Sequence, residues 1–399
     1  MKKVLIVIPD MGIGGAQKSL LSFLQCFAES DVKENYDIDL IVVRQGGAFQ
    51  KQLPNNVNLI STPPILKWMG SHFSMSLFKE CFSFKGLLGE LCWILKSRLK
   101  LLDNRLNRQQ NLWECWKNFV PTLEKEYDVA VSYLDGFSNY YVIDKVLANK
   151  KVIWLHNEYQ KQEYSAEHDK AYYNKADAVI TISEKCKECI LNEFPELDEK
   201  TYIFENITSA KDVVEKANKG AAVYFKNFSG LKILTVGRLN PQKGIDLAIT
   251  AARYLKFAGI KFIWIVLGDG PERTSLEHLI KENSVEDCFV LAGAIDNPYV
   301  YMKECDIFVQ SSRFEGKSIV LDEAKILCKP IVVTDYTTVA NSITNREDGL
   351  IVNMTGEEIA RGILELENNH ELKAHIVSNL QQKPKGNEQE LKKYLDIML

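Results

Sequence analysis

Short, unbroken apolar runs recur along this chain. Each is followed by a polar or glycine-bearing turn and then by a helical pattern, and that alternation limits the fold more than any other feature. Val4 to Ile8 opens the series as a run with no polar residue, which marks a strand buried on both faces. The turn Asp10-Met11-Gly12-Ile13-Gly14-Gly15-Ala16 and a helical pattern from Gln17 to Phe27 follow it. Further strands are predicted at Ile38–Val43, Asp128–Ser132, Lys151–Leu155 and Ala178–Ile182. A polar, glycine-containing stretch from about Asp212 to Ala221 reads as a linker. A second series then runs through Lys232–Val236, Phe262–Leu267, Cys288–Leu291, Asp306–Val309, Ile331–Val333 and Leu350–Val352. Strands that alternate with helices imply parallel sheets with helices on both faces. At 399 residues the chain exceeds one ordinary core, so two doubly wound α/β domains are expected.

Open sheets of this kind bind ligands beyond the carboxyl ends of their strands, and chemistry-bearing residues collect there. In the first half they are Tyr133-Leu134-Asp135-Gly136, His156-Asn157-Glu158 and Ser183-Glu184. His156 directly follows an apolar run. It suits hydrogen bonding to a sugar hydroxyl or phosphate oxygen, and equally the bracing of a loop against a backbone carbonyl. In the second half Arg238 and Lys243 stand where a strand hands over to a helix. They fit a diphosphate clamp or a solvated basic turn equally well. The stretch Ser312-Arg313-Phe314-Glu315-Gly316-Lys317-Ser318-Ile319 leaves another strand, and a helix is predicted between Ser318 and Leu327. A helix amino end has unpaired N–H groups and a partial positive charge, which suits a phosphate. Glu315 and Glu323 flank that start, and carboxylates accept hydrogen bonds from sugar hydroxyls. Paired surface carboxylates are also common without any ligand.

The composition removes several classes of function. With 46% hydrophobic and 26% charged residues the chain is that of a globular protein, and a net charge of −4 argues against a nucleic-acid binder. The nine cysteines are scattered through apolar segments, which suits reduced, buried thiols. Cys186-Lys187-Glu188-Cys189 lacks a second ligand pair, so helical packing is expected there and no metal site. No signal peptide or membrane span is expected, and the protein should work in the cytoplasm.

Between Pro64 and Val120 the pattern changes. Lys67, Lys79, Lys85, Lys96, Arg98, Lys100, Arg105, Arg108 and Lys117 outnumber Glu80, Glu90, Asp103 and Glu114. Trp68, Phe73, Phe78, Phe82, Phe84, Trp93 and Leu99 are interleaved with them. A basic helical insertion of this kind, about 65–120, either covers the sheet with a solvated rim or lies on the inner leaflet of a membrane.

Several segments together resemble one family. Gly237-Arg238-Leu239 with Lys243-Gly244, Gly268-Asp269-Gly270-Pro271, Glu315-Gly316 with Glu323, Pro330-Ile331-Val332 and Gly14-Gly15-Ala16 are similar to the retaining GT-B glycosyltransferases of family 4. The resemblance implies two Rossmann-like domains facing a central cleft. Expected bounds are 1–213 for the acceptor side, 214–385 for the nucleotide-sugar side, and a helix at 386–399 that can cross back. It implies a nucleotide-sugar donor, most readily a UDP-sugar, and a glycan or lipid-linked saccharide acceptor in bacterial polysaccharide biosynthesis such as capsule or lipopolysaccharide. By the same resemblance Glu315 would hold the donor sugar, Glu323 the ribose, and Arg238 and Lys243 the departing diphosphate. Gly14, Gly15, Gly316, Lys317, Ser318 and Ile319 would line the donor site, Gly293 and Ala294 would frame the base, and His156 would lie near the transferred sugar. Tyr133, Asp135 and Glu158 are candidates for the acceptor side. No metal or other cofactor is expected, since the basic groups and a helix end would neutralise the leaving group. Lys317-Ser318 depart from the aromatic or small residues usual at that place in the family, which leaves the donor sugar open. Two rival readings share the fold: a non-catalytic accessory subunit and a nucleotide-sugar 2-epimerase.

Overall fold

The computed structural model describes residues 1–70, 81–383 and 385–397. It divides into two compact units, Met1–Ile207 with Gln389–Leu399, and Thr208–Glu388. Seven strands form the sheet of the first: β1 Lys2–Asp10, β2 Tyr36–Arg44, β3 Val57–Leu59, β4 Leu123–Ser132, β5 Val146–Leu155, β6 Ala178–Thr181 and β7 Thr201–Ile203. Their order is β3-β2-β1-β4-β5-β6-β7, and every pairing is parallel.

The apolar run of β1 explains its central place. Val4, Ile6 and Ile8 enter one buried cluster, while Leu5 and Val7 enter another on the opposite face. Alternating side chains therefore have two cores to fill, and each such side chain contributes roughly 1.5–3 kcal/mol by leaving water. The last helix, Leu391–Ile397, adds to one of these cores through Tyr394. Its ring lies 5.0 Å from Phe23, 4.7 Å from Trp154 and 5.6 Å from Phe204. The phenol donates to the Glu205 carbonyl at 2.9 Å. This anchoring makes the final segment part of the same unit as the first strand.

The insertion after Pro64 sorts its aromatic residues. Trp68, Trp113 and Trp116 are buried in a core of the first unit, with Trp68 and Trp116 meeting edge to face at 6.0 Å. Phe84 is exposed on the helix Phe84–Arg98. Phe73, Phe78, Lys79 and Glu80 lie outside the described residues.

The second unit holds β8 Leu231–Val236, β9 Phe262–Leu267, β10 Phe289–Gly293, β11 Ile307–Gln310, β12 Ile331–Thr334 and β13 Leu350–Val352. Their order is β10-β9-β8-β11-β12-β13, again parallel throughout. Ile307 and Val309 of β11 face one cluster and Phe308 the other.

The expected linker is not one. Ala210–Ala217 is a helix, begun by the Ser209 hydroxyl accepting from the Asp212 N–H. Val213 and Ala217, four residues apart, bury its inner face with Tyr299 and Ile326. Apart from the exposed Val214, the residues after Ala210 on its other faces are charged, which is why the segment reads as a connector.

Candidate functional site

In each sheet the strand order reverses beside the first strand: between β1 and β4 in one unit, and between β8 and β11 in the other. Loops leaving two such strands diverge to opposite faces, and the crevice between them is where doubly wound sheets take ligands. Of the residues singled out from the sequence, Gly14, Gly15 and Asp135 follow β1 and β4, and Arg238, Lys243 and Glu315 follow β8 and β11, while His156 and Glu158 follow β5 and Gly293 ends β10.

In the second unit the loop after β8 carries Arg238, then a tight turn at Pro241–Lys243. Asn240 starts that turn, its side chain accepting from the Lys243 N–H at 3.2 Å. Gly244 ends it at φ +58°, where an added Cβ would fall 2.1 Å from the Ser311 carbonyl oxygen, so only glycine serves. The loop after β11 is fastened to this one. Arg313 N–H donates to the Gln242 carbonyl at 2.7 Å, and Gln242 Nε2 donates to the Phe314 carbonyl at 2.9 Å. The Ser311 hydroxyl donates to the Lys243 carbonyl at 3.0 Å. The Arg313 guanidinium makes a two-pronged bond to Asp246, at 2.9 and 2.7 Å.

Fastened together, the two loops set Lys243 Nζ 2.5 Å from Glu315 Oε1. The same oxygen accepts from Ser312 Oγ at 2.6 Å and Gln310 Nε2 at 2.9 Å. Among the described residues Glu315 Oε2 has only a long contact, 3.4 Å, from Gln242 Nε2. The carboxylate is thus held by one oxygen, and the other keeps most of its capacity to accept. Gln310 is itself positioned, since its carbonyl oxygen accepts from Ser318 Oγ at 3.0 Å.

That last bond matters for the helix Ile319–Ile326. Ser318 is its N-cap residue, yet its side chain makes no capping bond. Turned to Gln310, the hydroxyl leaves the first-turn N–H groups without the partner a cap serine normally supplies. Glu323, in the same helix, is buried and accepts from the Tyr299 phenol at 2.6 Å. Burial, and then the adjoining carboxylate, push the Tyr299 phenol well above its usual pKa, so it stays a donor. Arg238 is exposed, and its side chain has no hydrogen-bond or ion-pair partner among the described residues. Gly316 and Lys317 are half-buried beside Glu315, and Ile319 is buried. At the end of β10, Gly293 has open space where a Cβ would stand, and its carbonyl accepts from the Gly268 N–H at 2.8 Å. Ala294 follows it, exposed.

In the first unit Gly14 precedes the helix Gly15–Glu29, and nothing lies within 4 Å of a Cβ placed at Gly15. His156 is buried at the tip of β5, its ring 6.2 Å from Trp154 and nearly parallel to it. Burial pulls the imidazole down to about 3, opposed by a hydrogen bond to the Tyr133 backbone. Nε2 has no partner among the described residues. A neutral ring that donates through its other nitrogen presents Nε2 as an acceptor, which suits a hydroxyl and not a phosphate oxygen.

Asp135 is buried as well. Burial pushes its carboxyl up to about 7, against hydrogen bonds from Asn157 at 3.1 Å and from the His156 backbone. Glu158 is buried nearby in sequence, after β5. Tyr133 does not fit the acceptor role expected of it. It is fully buried, and its hydroxyl is engaged by Ser19 Oγ at 2.9 Å, so it fills the interior and backs the His156 ring, 5.0 Å away. The sequence reading missed Gln310, Ser312, Gln242 and Tyr299. Gln310 left one signal: it is a polar residue closing an otherwise apolar strand.

Residues 210–383 match the family model described as glycosyl transferases group 1. Over 186 residues the chain is 33% identical to the N-acetylgalactosamine-N,N'-diacetylbacillosaminyl-diphospho-undecaprenol 4-alpha-N-acetylgalactosaminyltransferase of Campylobacter jejuni, covering 46% of this chain and 49% of that protein. Over 210 residues it is 28% identical to the poly(ribitol-phosphate) alpha-N-acetylglucosaminyltransferase of Staphylococcus aureus, covering 51% and 40%. The chain thus spans about half the length of these relatives. Among solved structures, Anabaena Alr3699/HepE in complex with UDP-glucose superposes with a TM-score of 0.67 at 16% identity, over 99% of this chain and 100% of that one. A point mutant of S. aureus TarM, in complex with Fondaparinux, alpha-GlcNAc-glycerol and UDP, gives 0.66 at 16% identity over the whole of both chains. Two parallel-sheet α/β units with these neighbours make this a chain of the GT-B fold, whose residues 210–383 resemble glycosyl transferases group 1.

Proposed function

We propose that this protein is a retaining family 4 glycosyltransferase that moves a sugar from a UDP-sugar to a saccharide acceptor, without a metal ion. One observation carries the reading: Lys243 and Glu315, from loops far apart in sequence, meet at the switch point of the second sheet beside an uncapped helix start. A nucleotide diphosphate sugar needs these groups side by side, a cation and free N–H donors for the phosphates and a carboxylate for the sugar hydroxyls. Arg238, exposed and unengaged, supplies a second positive charge for the departing diphosphate, and Glu323 is the acceptor for ribose hydroxyls. In the first unit, the bare Nε2 of His156 would accept from a saccharide hydroxyl, and Asp135 and Glu158 are the candidates for holding the acceptor. The leaving phosphate, steadied by these cations, takes up the acceptor proton as the new bond forms on the same face.

The choice of UDP is supported by the solved neighbours that hold UDP or UDP-glucose, and retention by relatives named as alpha-transferases. The relatives named for an undecaprenol-linked substrate and a ribitol-phosphate polymer favour a lipid-linked or polymeric glycan acceptor.

Thermal unfolding of the full chain tests the donor half of this reading. UDP at a hundred times its dissociation constant is expected to stabilise the folded state by about 2.7 kcal/mol, with GDP and ADP giving less at equal concentration. Arg238→Ala is expected to weaken the UDP response while leaving the ligand-free melting temperature unchanged, since Arg238 holds nothing else in place. No response to any nucleoside diphosphate would end the proposal.

A further inference from the structure

The helix Phe84–Arg98 carries apolar residues on two faces, one on a core and one exposed. Its buried residues are Gly86 and Gly89. A Cβ at Gly86 would stand 2.7 Å from the Trp68 ring, and one at Gly89 2.6 Å from the Trp116 ring. The glycines let the helix backbone settle directly onto these two indoles. Leu87, Cys92 and Trp93 pack, partly buried, against the same core, and a second set of large apolar side chains points the other way. Phe84 is 72% exposed, Leu88 37%, Leu91 44%, Leu95 55% and Leu99 63%. Spacings of three and four residues put all five on one stripe along the helix. Scattered exposed leucines need no explanation, but a continuous stripe of them marks an interaction surface.

Charge identifies the partner. Glu90, the one carboxylate of this helix, is half-buried, and burial raises its pKa. The flanks of the stripe are basic: Lys85, Arg98 and Lys100 are exposed and Lys96 is half-buried. None of these four takes part in an ion pair among the described residues. A second copy of the chain laid along the stripe would bring these charges together with no carboxylate of the helix to meet them. An anionic lipid surface meets both needs at once, acyl chains for the leucines and phosphates for the cations.

We propose that the stripe Phe84, Leu88, Leu91, Leu95 and Leu99 docks the protein on an anionic bilayer. The helix lies in the plane of the interface, with Lys85, Lys96, Arg98 and Lys100 among the phosphates. The inference stands on the packing of this helix and is independent of the transferase reading, so either can fail alone. It extends to no spanning segment: no helix among the described residues is long and apolar enough to cross a membrane.

Flotation of the full chain with vesicles decides it. The protein is expected to float with phosphatidylcholine vesicles containing phosphatidylglycerol, to float poorly with phosphatidylcholine alone, and to be released by salt. Leu91→Glu combined with Leu95→Glu should lower partitioning at least about tenfold, because acids replace the inserted groups. Lys85→Glu combined with Arg98→Glu leaves the apolar stripe intact and should weaken binding to anionic vesicles by roughly an order of magnitude or more. All four positions are exposed, so melting temperatures should match the parent's. A parent chain that does not float with anionic vesicles would overturn the proposal. So would a double-leucine variant that floats as well as the parent, or a solution dimer that this variant splits.

Discussion

Replacing Glu315 with glutamine is expected to slow sugar transfer roughly 10²- to 10³-fold with little change in the fold. Three donors converge on Oε1: the Lys243 ammonium, the Gln310 amide and the Ser312 hydroxyl. An amide in the same place offers one accepting oxygen and one NH₂ group. If the oxygen faces the three donors, the NH₂ replaces Oε2 and no longer accepts from a sugar hydroxyl. If the amide turns over, the NH₂ faces three donors. Either way the negative charge opposite Lys243 is gone, and the side chain no longer has one orientation that suits both its neighbours and a donor sugar. Gln310→Leu serves as a graded companion, since it removes one of the three donors and the partner of Ser318 Oγ but keeps the carboxylate. Its expected effect is smaller, roughly tenfold, for the loss of a buried hydrogen-bonding group. Steady-state UDP release with a lipid-linked saccharide acceptor, together with a melting curve for each variant, provides the comparison. Transfer by the glutamine variant within about twofold of the parent removes Glu315 from the chemistry.

The second large effect concerns stability and pH in the first unit, where Asp135 and His156 oppose each other. His156 is held down to about 3 by burial, against 6.5 for the free side chain. Between those values the unfolded chain binds a proton that the folded chain refuses, so the contribution of His156 is complete above pH 6.5 and is lost as pH falls toward 3. Asp135 is pushed up to about 7 by burial, from 3.8. Between those values the folded chain holds a proton that the unfolded chain releases, so its contribution is complete below 3.8 and is lost as pH rises through 7. From about pH 4 to 6.5 the two slopes cancel, each having a limit of about 1.4 kcal/mol per pH unit.

Asp135→Asn is therefore expected to expose the His156 slope, gaining stability relative to the parent as pH rises across that window, by about 3 kcal/mol in all. His156→Gln should show the mirror image, losing stability relative to the parent over the same range. Chemical denaturation at several pH values would measure both differences. Variant and parent curves that stay parallel with pH would mean that neither group is buried in the way described.

Some elements could be read directly from residues. Phe262–Leu267 and Leu350–Val352 were expected as strands and are strands with those bounds, because a run of apolar residues between turn signals has few other uses. β3 and β7 went unread, being three residues long, with Val57 the single buried residue of β3 and Thr201 that of β7. Too little apolar pattern was present to see. The helix Ala210–Ala217 was mistaken for a connector because only Val213 and Ala217 carry its burial. Tyr133 shows a different limit. A tyrosine at a strand end suits a ligand or a core, and only the partners of its hydroxyl, here Ser19, decide between them. The insertion shows it again: tryptophans and leucines are interchangeable in a hydrophobicity pattern, yet Trp68, Trp113 and Trp116 went inside and the leucines of the stripe outside.

The sequence by itself determined the alternation of buried strands with helices, and it marked Glu315, Glu323, Lys243, Arg238 and His156 by placing reactive groups just past apolar runs. Strand order belonged to the tertiary structure alone. That β8 lies beside β11 follows from how the two faces of the sheet are covered, which no local rule states. Yet this neighbourhood brings Lys243 against a carboxylate 72 residues away. It also turns Ser318 toward Gln310 and away from its own helix, because hydrogen bonds of buried polar groups are settled by whichever partner the packed chain puts within reach.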